Sequence, residues 1–600
     1  VIDYSSLEST QGQDWYALDP ELQAQVRRHC APEDLAWSEA KLGELGRLVG
    51  TVIGPNAETI DAHPPELVRY DRWAQEIDRV IHHPAMLESK RALWNVGYAG
   101  GFAADEAARG RPVPGAVRMA AGYLVSQADT GLVCSIGMTS GVAGLVEAYA
   151  PPEVVDALLP RLRAGDMDEG ADGSMFLTER DGGSDLGHTV HCTARELGDG
   201  RVLINGEKWF CSNIDGAAIV MLARPEGAPD GSRGLGLYLV PKELDDGTRN
   251  RVVMRRLKPK LGTRSVPTGE VEFRDALAYA LRPRRGTDEA GDSDAGGLNR
   301  MMEMVNGSRF GVALMGLGIA RRSFLESAVW CHHRSAKGRL LVDLPLVREQ
   351  LVDMAVEVEA GVALAMECAA APRQRDAARL RRILVPATKI AVTRLGVEAA
   401  SAAVELHGGN GYCEDWGLTR QLRDAQCHPI WEGTEHICSL DVLRAMRQDA
   451  AHEAVVARVD AVLDRVRGGS GLLGEVGDLV ATANRRLAAR ADEVGTLEPD
   501  RAEARSGRLS WLLARTAAAA LLLEQAVTAP GSRSEEPASP GGRSAETAGY
   551  DIRKALVALR FARRHLAPED VWGDRIAAEA GREILSFAAV DEASATKAAV

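Results

Sequence analysis

His407-Gly408-Gly409-Asn410-Gly411-Tyr412-Cys413-Glu414-Asp415 is the stretch on which the fold class turns. Its clustered glycines suggest a dinucleotide-binding loop. Such a loop follows a strand, opens a helix and spaces its glycines G-x-G-x-x-G. Here the glycines follow a helical pattern over 383–405, and the spacing is different. A Rossmann or P-loop architecture is set aside on that context, and the fold is read from the flanking segments.

Upstream, helical periodicity starts at Leu298 and continues to about Arg447, through 308–331 and 343–371. Before it come short β-type runs: Ser174–Thr178, Thr189–Arg195, Arg201–Ile204, Ala218–Leu222, Gly236–Val240, Val252–Arg255 and Gly269–Phe273. Turn residues separate them, and a polar, acidic loop around Gly286–Gly297 follows. Residues 1–170 read mainly as helices, including helical spacing from Pro65 to Ala85. Past 450 the chain is rich in Ala, Arg and Leu, broken by a Pro/Gly/Ser/Glu stretch from Pro530 to Gly549 that should be mobile. The expected fold is α+β and multidomain. It has an N-terminal helical domain (1–170), a middle β-barrel or sandwich (171–285), a C-terminal helical bundle (298–447) and an additional helical domain (451–600).

At 600 residues the chain exceeds one hydrophobic core, and 45% hydrophobic with 26% charged residues is ordinary for a soluble protein. A net charge of −14 argues against overall affinity for nucleic acid or anionic membranes. The nine cysteines form no CxxC pair, so reduced thiols and no metal site are expected. No uninterrupted apolar run reaches membrane-spanning length, and Val1-Ile2-Asp3-Tyr4-Ser5 lacks a signal-peptide pattern. A cytoplasmic location is the default expectation.

Three segments carry chemistry. Leu177-Thr178-Glu179-Arg180-Asp181-Gly182-Gly183-Ser184-Asp185 is dense in hydroxyls, glycines and backbone amides, which suits a diphosphate or a polar ring. A solvated β-turn accounts for the same residues. In Asn205-Gly206-Glu207-Lys208-Trp209-Phe210-Cys211-Ser212-Asn213 a hairpin turn leads into two aromatics and a hydroxyl, a surface for a flat cofactor or else a core aromatic pair. The third runs from His407 to Leu440, with Arg423-Asp424-Ala425 and Ile430-Trp431-Glu432-Gly433-Thr434-Glu435-His436. An apolar setting would raise the pKa of Glu432 and make it a stronger base. An ordinary helix-start carboxylate near Thr434 is the alternative.

In this order and at these separations, the Thr-Glu-x-x-Gly-Gly-Ser-Asp, Asn-Gly-x-Lys, Gly-Gly-Asn-Gly-Tyr, Arg-Asp-Ala and aromatic-Glu-Gly-Thr elements resemble the acyl-CoA dehydrogenase superfamily over about 60–450. Pro64–Asp71, Lys208-Trp209-Phe210 and Arg256–Ser265 resemble its AidB branch, as does a helical extension past 450. The resemblance implies FAD held between the β domain and the C-terminal helices. Thr178 and Ser184 would face the flavin and diphosphate, with Phe210 and Ser212 as aromatic and hydroxyl flavin contacts. Arg334 would reach the diphosphate across a subunit boundary, and Gly408 and Gly409 would allow close backbone approach. Gly433 follows the base, and Thr434 and His436 would lie by the adenosine end.

Glu432 takes the place of the general base, removing the α-proton of an acyl-CoA or other acyl thioester while hydride passes to the flavin. The resemblance further implies a homo-oligomer, dimer or tetramer, and an electron-transfer flavoprotein or other acceptor. Two positions depart from the family pattern: Lys337 stands for an aromatic in Arg334-Ser335-Ala336-Lys337-Gly338, and Glu405 for a glutamine. The competing readings are a DNA-binding, alkylation-protective flavoprotein of the AidB kind and a flavin monooxygenase. Residues 451–600 hold 20 Lys and Arg against 22 Asp and Glu, a net of −2, so DNA binding ranks below the enzyme. Arg501, Arg505, Arg508 and Arg515 recur at helical spacing, a stripe that pairing with Asp500 and Glu503 would neutralise.

Overall fold

The β-type runs become strands in a computed structural model of the chain, which describes residues 1–198, 200–283, 296–370, 375–527, 550–567 and 576–599. Most of the acidic loop near 286–297 and all of the stretch 530–549 lie outside the described residues. The chain divides into two compact units: Val52–Val113 with Asp129–Val312, and Val1–Thr51 with Pro114–Ala128 and Ala313–Val600.

Among the described residues the first unit is built on nine strands. A hairpin pairs β1 (Glu66–Tyr70) with β2 (Glu76–Ile81). The rest are β3 (Gly173–Phe176), β4 (Thr193–Glu196), β5 (Arg201–Ser212), β6 (Ala218–Pro225), β7 (Gly236–Pro241), β8 (Val252–Leu257) and β9 (Thr268–Ala280). Pairings β6–β4, β4–β5, β5–β9, β9–β7 and β7–β6 form a closed circuit, with β3 on β6 and β8 on β9. Closure removes the open edges a sheet would otherwise expose. Alternation along the strands sends Ile204, Ile219, Met221, Val240, Val271 and Phe273 into one core. The opposite faces of β6 and β7 bury Val220, Leu222, Leu237 and Leu239 with Val142 and Val146 of the helix Thr130–Tyr149. That helix has the length and hydropathy of a membrane span, but most of its apolar window is buried. It begins where Asp129 accepts a hydrogen bond from the Leu132 amide at 3.0 Å.

Two expectations change here. The Pro65–Ala85 stretch contains a hairpin where helical spacing predicts a helix. Asp71 accepts from the Trp73 and Gln75 amides and turns the chain. Buried Asp78, at φ 36°, accepts from Arg69, Arg249 and the Met254 amide, which fastens the hairpin beside β8. Asn205-Gly206 is no hairpin turn; it lies inside β5 at a register shift. Asn205 and Asp275 bond each other reciprocally across the bulge, and a Cβ on Gly206 would meet Cys192 Cα at 2.8 Å.

The second unit is helical. Pro345–Ala370 and Arg375–Leu406 form its middle, with Glu435–Asp449 and the helices of the C-terminal region around them. Those later helices (Ala451–Arg465, Gly471–Thr496, Pro499–Val527, Ile552–Leu566) pack through Val455, Val459, Leu487, Leu513, Leu522, Leu556 and Leu559, all buried. A charged cluster is sealed in the same interior. Glu359 accepts from Arg553 at 2.5 Å and from Lys554, and Lys554 also pairs with Glu21 at 2.5 Å. Nearby, Asp19 pairs with Arg321 at 3.2 Å and accepts from the Tyr123 hydroxyl at 3.0 Å. None of the nine cysteines forms a disulfide.

Glu359→Gln keeps the side-chain shape but leaves two buried cations short of an anion. It should cost about 3–5 kcal/mol in denaturant unfolding at neutral pH. Burial raises the Glu359 carboxyl, but Arg553 and then Lys554 outweigh it and hold the pKa down at about 2, against an ordinary 4.5. A depressed carboxyl stabilises the fold above its unfolded pKa and loses that contribution as pH falls toward the folded value. Wild type should therefore lose stability between pH 4.5 and about 2 more steeply than Glu359→Gln, and equal slopes would count against this assignment.

Candidate functional site

Two groups of functional side chains lie one in each unit. In the strand-rich unit, β3 ends at Phe176, and the turn Glu179–Gly182 follows. A Cβ on Gly183 would meet Thr178 Oγ1 at 2.3 Å, so only glycine lets the loop fold back on that hydroxyl. Thr178 is half-buried and Ser184 exposed. Glu179 is buried beneath the turn: it pairs with Lys208 at 2.7 Å and accepts from the His191 and Cys192 amides. Lys208 also donates to Leu177 O at 3.2 Å, and the Trp209 amide donates to Thr178 O at 2.9 Å. The first two motifs are thus one assembly, stapled by an ion pair with almost no exposed atom.

Beyond Lys208 the aromatics turn outward. Phe210 is 54% exposed, so it is not a core aromatic, and Trp209 is half-buried. Lys258 Nζ stands 3.7 Å from the Trp209 ring centre and 4.8 Å from that of Phe210, while bonding Glu270 at 2.9 Å. Ser212 Oγ lies 3.1 Å from Thr268 Oγ1. Lys260 Nζ holds the adjoining loop through Thr263 O, Val266 O and Thr268 Oγ1. The outcome is an exposed aromatic face beside a cation and a hydroxyl pair.

In the helical unit, Gly408–Tyr412 forms a 3-10 turn directly after the helix Arg375–Leu406. Gly408 has φ 60°, and neither Gly408 nor Gly409 has a heavy atom within 4 Å of where a Cβ would stand. The packing constraint falls on Gly411 instead, whose Cβ would meet Val404 O at 2.3 Å. His407 stacks on Trp330 with centroids 4.9 Å apart, and the Arg334 guanidinium lies 5.9 Å from the same indole. Arg334 is exposed at the base of a two-residue hairpin, Ser335-Ala336 with Arg339-Leu340. Among the described residues its side chain has no carboxylate partner. Lys337 and Gly338 make the hairpin tip with φ 52° and 74°.

Glu432 lies in the loop before the helix Glu435–Asp449, half-buried, with φ 52°; Gly433 follows with φ 100°. Thr434 is the N-cap, its hydroxyl accepting from the Ile437 amide at 3.4 Å. The helix-start carboxylate is therefore Glu435, and Glu432 stands outside the helix. Glu435 is occupied: it accepts from Arg394 and from Trp511 Nε1, each at 2.9 Å. His436 is exposed. Below the loop lie two buried residues that the motif reading passes over. Lys389 donates to Pro429 O at 3.1 Å and Gly433 O at 2.5 Å, and neither nitrogen of His428 has a partner. A single lysine in the apolar run Val385–Val392 was the available signal.

Known proteins match this chain in three blocks: the adaptive response protein AidB N-terminal domain over 6–169, the acyl-CoA dehydrogenase middle domain over 174–276, and the acyl-CoA dehydrogenase C-terminal domain over 295–447. AidB of Escherichia coli is 33% identical over 436 residues, covering 70% of this chain and 76% of that protein. A crystal structure of Caenorhabditis elegans ACDH-11 in complex with C11-CoA has a TM-score of 0.83 at 24% identity, covering 96% of both chains. One of an acyl-CoA dehydrogenase complexed with FAD from Bacillus anthracis has a TM-score of 0.68 at 17% identity, over 95% of this chain and 92% of that one. At those identities the two structures share the fold.

The glycines separate packing from ligand approach. Gly411→Ala must displace backbone and should cost about 1–3 kcal/mol with a lower melting temperature. Gly409→Ala meets nothing and should leave the melting temperature of the ligand-free protein unchanged, so any effect it has will be on ligand affinity. Equal destabilisation by both would refute the division.

Proposed function

Since this chain belongs to the acyl-CoA dehydrogenase family, with an AidB-type N-terminal domain, we propose that it is an FAD-dependent oxidoreductase that α,β-dehydrogenates acyl-CoA thioesters with Glu432 as general base. The residues fit the cofactor. Phe210 presents an open aromatic face, Ser212 a hydroxyl, Arg334 a guanidinium free for a diphosphate, and Gly408 and Gly409 open space over the backbone. Thr178, Ser184, Gly433, Thr434 and His436 complete the set. FAD, when bound, supplies the hydride acceptor for the substrate β-carbon.

The chain's own part is the proton. Glu432 takes it from the thioester α-carbon, which is acidic enough only when the developing enolate oxygen is held by hydrogen-bond donors. The observation that carries this assignment is the backbone at Glu432, which is held out of the following helix in a left-handed conformation between Trp431 and Gly433. Left-handed backbone at a non-glycine residue costs about 1 kcal/mol or more and collects at functional positions. The exposed Arg334 hairpin further supports a homo-oligomer, dimer or tetramer, in which this arginine serves a neighbouring subunit. An electron-transfer flavoprotein or another acceptor would reoxidise the flavin.

Glu432→Gln should keep flavin bound while the rate of anaerobic flavin bleaching by acyl-CoA falls on the order of a hundred- to ten-thousandfold. Equal bleaching by both proteins would show that another group is the base.

One observation favours a second role. Arg501, Arg505 and Arg508 are exposed on the helix Pro499–Val527 and have no ion-pair partner among the described residues, contrary to the expected pairing with Asp500 and Glu503. With a net charge of −2 over 451–600, duplex DNA should bind weakly and with strong salt dependence. Tight retention at physiological salt, abolished by reversing these three charges, would instead promote the DNA-protective reading.

A further inference from the structure

Lys389 is a lysine with no exposed atom, in the middle of the helix Arg375–Leu406. Burying an ammonium costs several kcal/mol unless donors and charge are compensated. Here two of its hydrogen bonds go to Pro429 O and Gly433 O, the carbonyls three residues before and one after Glu432. The segment between is irregular: the Ile430 and Trp431 amides both turn back to Cys427 O, and then Glu432 and Gly433 take positive φ. A left-handed glutamate persists only where its surroundings over-determine it. Several restraints act on this loop. Thr434 caps the following helix on one side, the Cys438 thiol donates to Gly433 O, and one ammonium spans the loop underneath.

The buried imidazole of His428 supplies no second cation. His428 is fully buried and both its ring nitrogens lack partners. Burial first, and the Lys389 charge second, push its pKa down to about 3, so it remains neutral. Replacing Lys389 with an apolar residue would leave Pro429 O without this donor and Gly433 O with only the weak Cys438 thiol, and would remove the one charged tie beneath the loop.

We propose that Lys389 is the positioning residue of the base: by binding the carbonyls of Pro429 and Gly433 it fixes the left-handed backbone at Glu432 and so aims the carboxylate. Lys389 acts through the loop and touches no substrate. The inference rests on Glu432 being the base, and it adds a residue that lies outside the sequence motifs quoted above.

The experiment uses the full-length flavoprotein with Lys389→Met, which keeps the stem and removes the donors, and Lys389→Arg, which returns a donor-bearing cation. Wild type is first bleached anaerobically with a panel of acyl-CoAs. Lys389→Met is expected to keep its flavin and roughly its acyl-CoA affinity while the bleaching rate falls about a hundredfold, the scale of a misplaced reacting group. Lys389→Arg should recover part of that rate. A crystal structure of Lys389→Met should show Glu432 relaxed from positive φ. Unchanged bleaching by Lys389→Met, or a slow variant whose Glu432 keeps its left-handed backbone, would overturn the inference. So would failure of both variants to fold, which would make Lys389 a stability element alone. A wild-type flavin that no acyl-CoA bleaches would overturn the dehydrogenase reading itself, a different result from wild type and variant bleaching alike.

Discussion

Within the helical unit, most depends on the buried anion of Glu359. It lies on the helix Pro345–Ala370 and meets Arg553 and Lys554 from the helix Ile552–Leu566, while Lys554 reaches on to Glu21 near the N-terminus. Residues more than 500 positions apart are thereby joined through one charge-balanced cluster. Such a cluster adds little net stability compared with an apolar equivalent, because desolvation offsets attraction. Its value is selectivity of register. Any shift of the last helices along the bundle strands two cations and two anions without partners, at several kcal/mol each. The region past 450 is therefore built into its unit: Trp511 bonds Glu435, and Arg458 ties Glu367 to Glu524.

A second device recurs at smaller scale. Both units place a fully buried lysine under a loop that carries candidate site residues and aim it at backbone carbonyls. Lys208 binds Leu177 O with Glu179 beneath the Thr178–Ser184 turn, and Lys389 binds Pro429 O and Gly433 O beneath Glu432. Lys260 does the same, half-buried, beside Thr268. An ammonium has three donors and a flexible stem, so it can satisfy carbonyls pointing in directions that no regular strand or helix would allow. The loops gain irregular backbone without leaving unpaired polar groups behind.

Local pattern made much of this protein readable. Strand cores at 174–176, 202–204, 219–222 and 237–240 are short, mainly apolar runs, Glu270-Val271-Glu272-Phe273 alternates charged and apolar residues, and long helices follow 3.6-residue spacing at 308–331 and 383–405. The reading failed where a side chain overrode the pattern. Asp71 and Asp78 make a hairpin of 66–81, and the Asn205–Asp275 pair absorbs a sequence that otherwise spells a turn. In both places a polar side chain bonds backbone or a partner remote in sequence, and no periodicity records that partner.

By itself the sequence determined the order of helical and β regions, the family motifs and the identity of Glu432 as a candidate base, because each is written in residue types at short spacing. Only the tertiary structure decided that Glu435 is engaged, that Gly411 rather than Gly409 is the tightly packed glycine, and that Arg501, Arg505 and Arg508 go unpaired. It alone brought Lys389 under a loop forty residues away. The physical reason is that hydrogen bonding and desolvation act at a few ångströms in space. Residues distant along the chain reach that range only once it has folded.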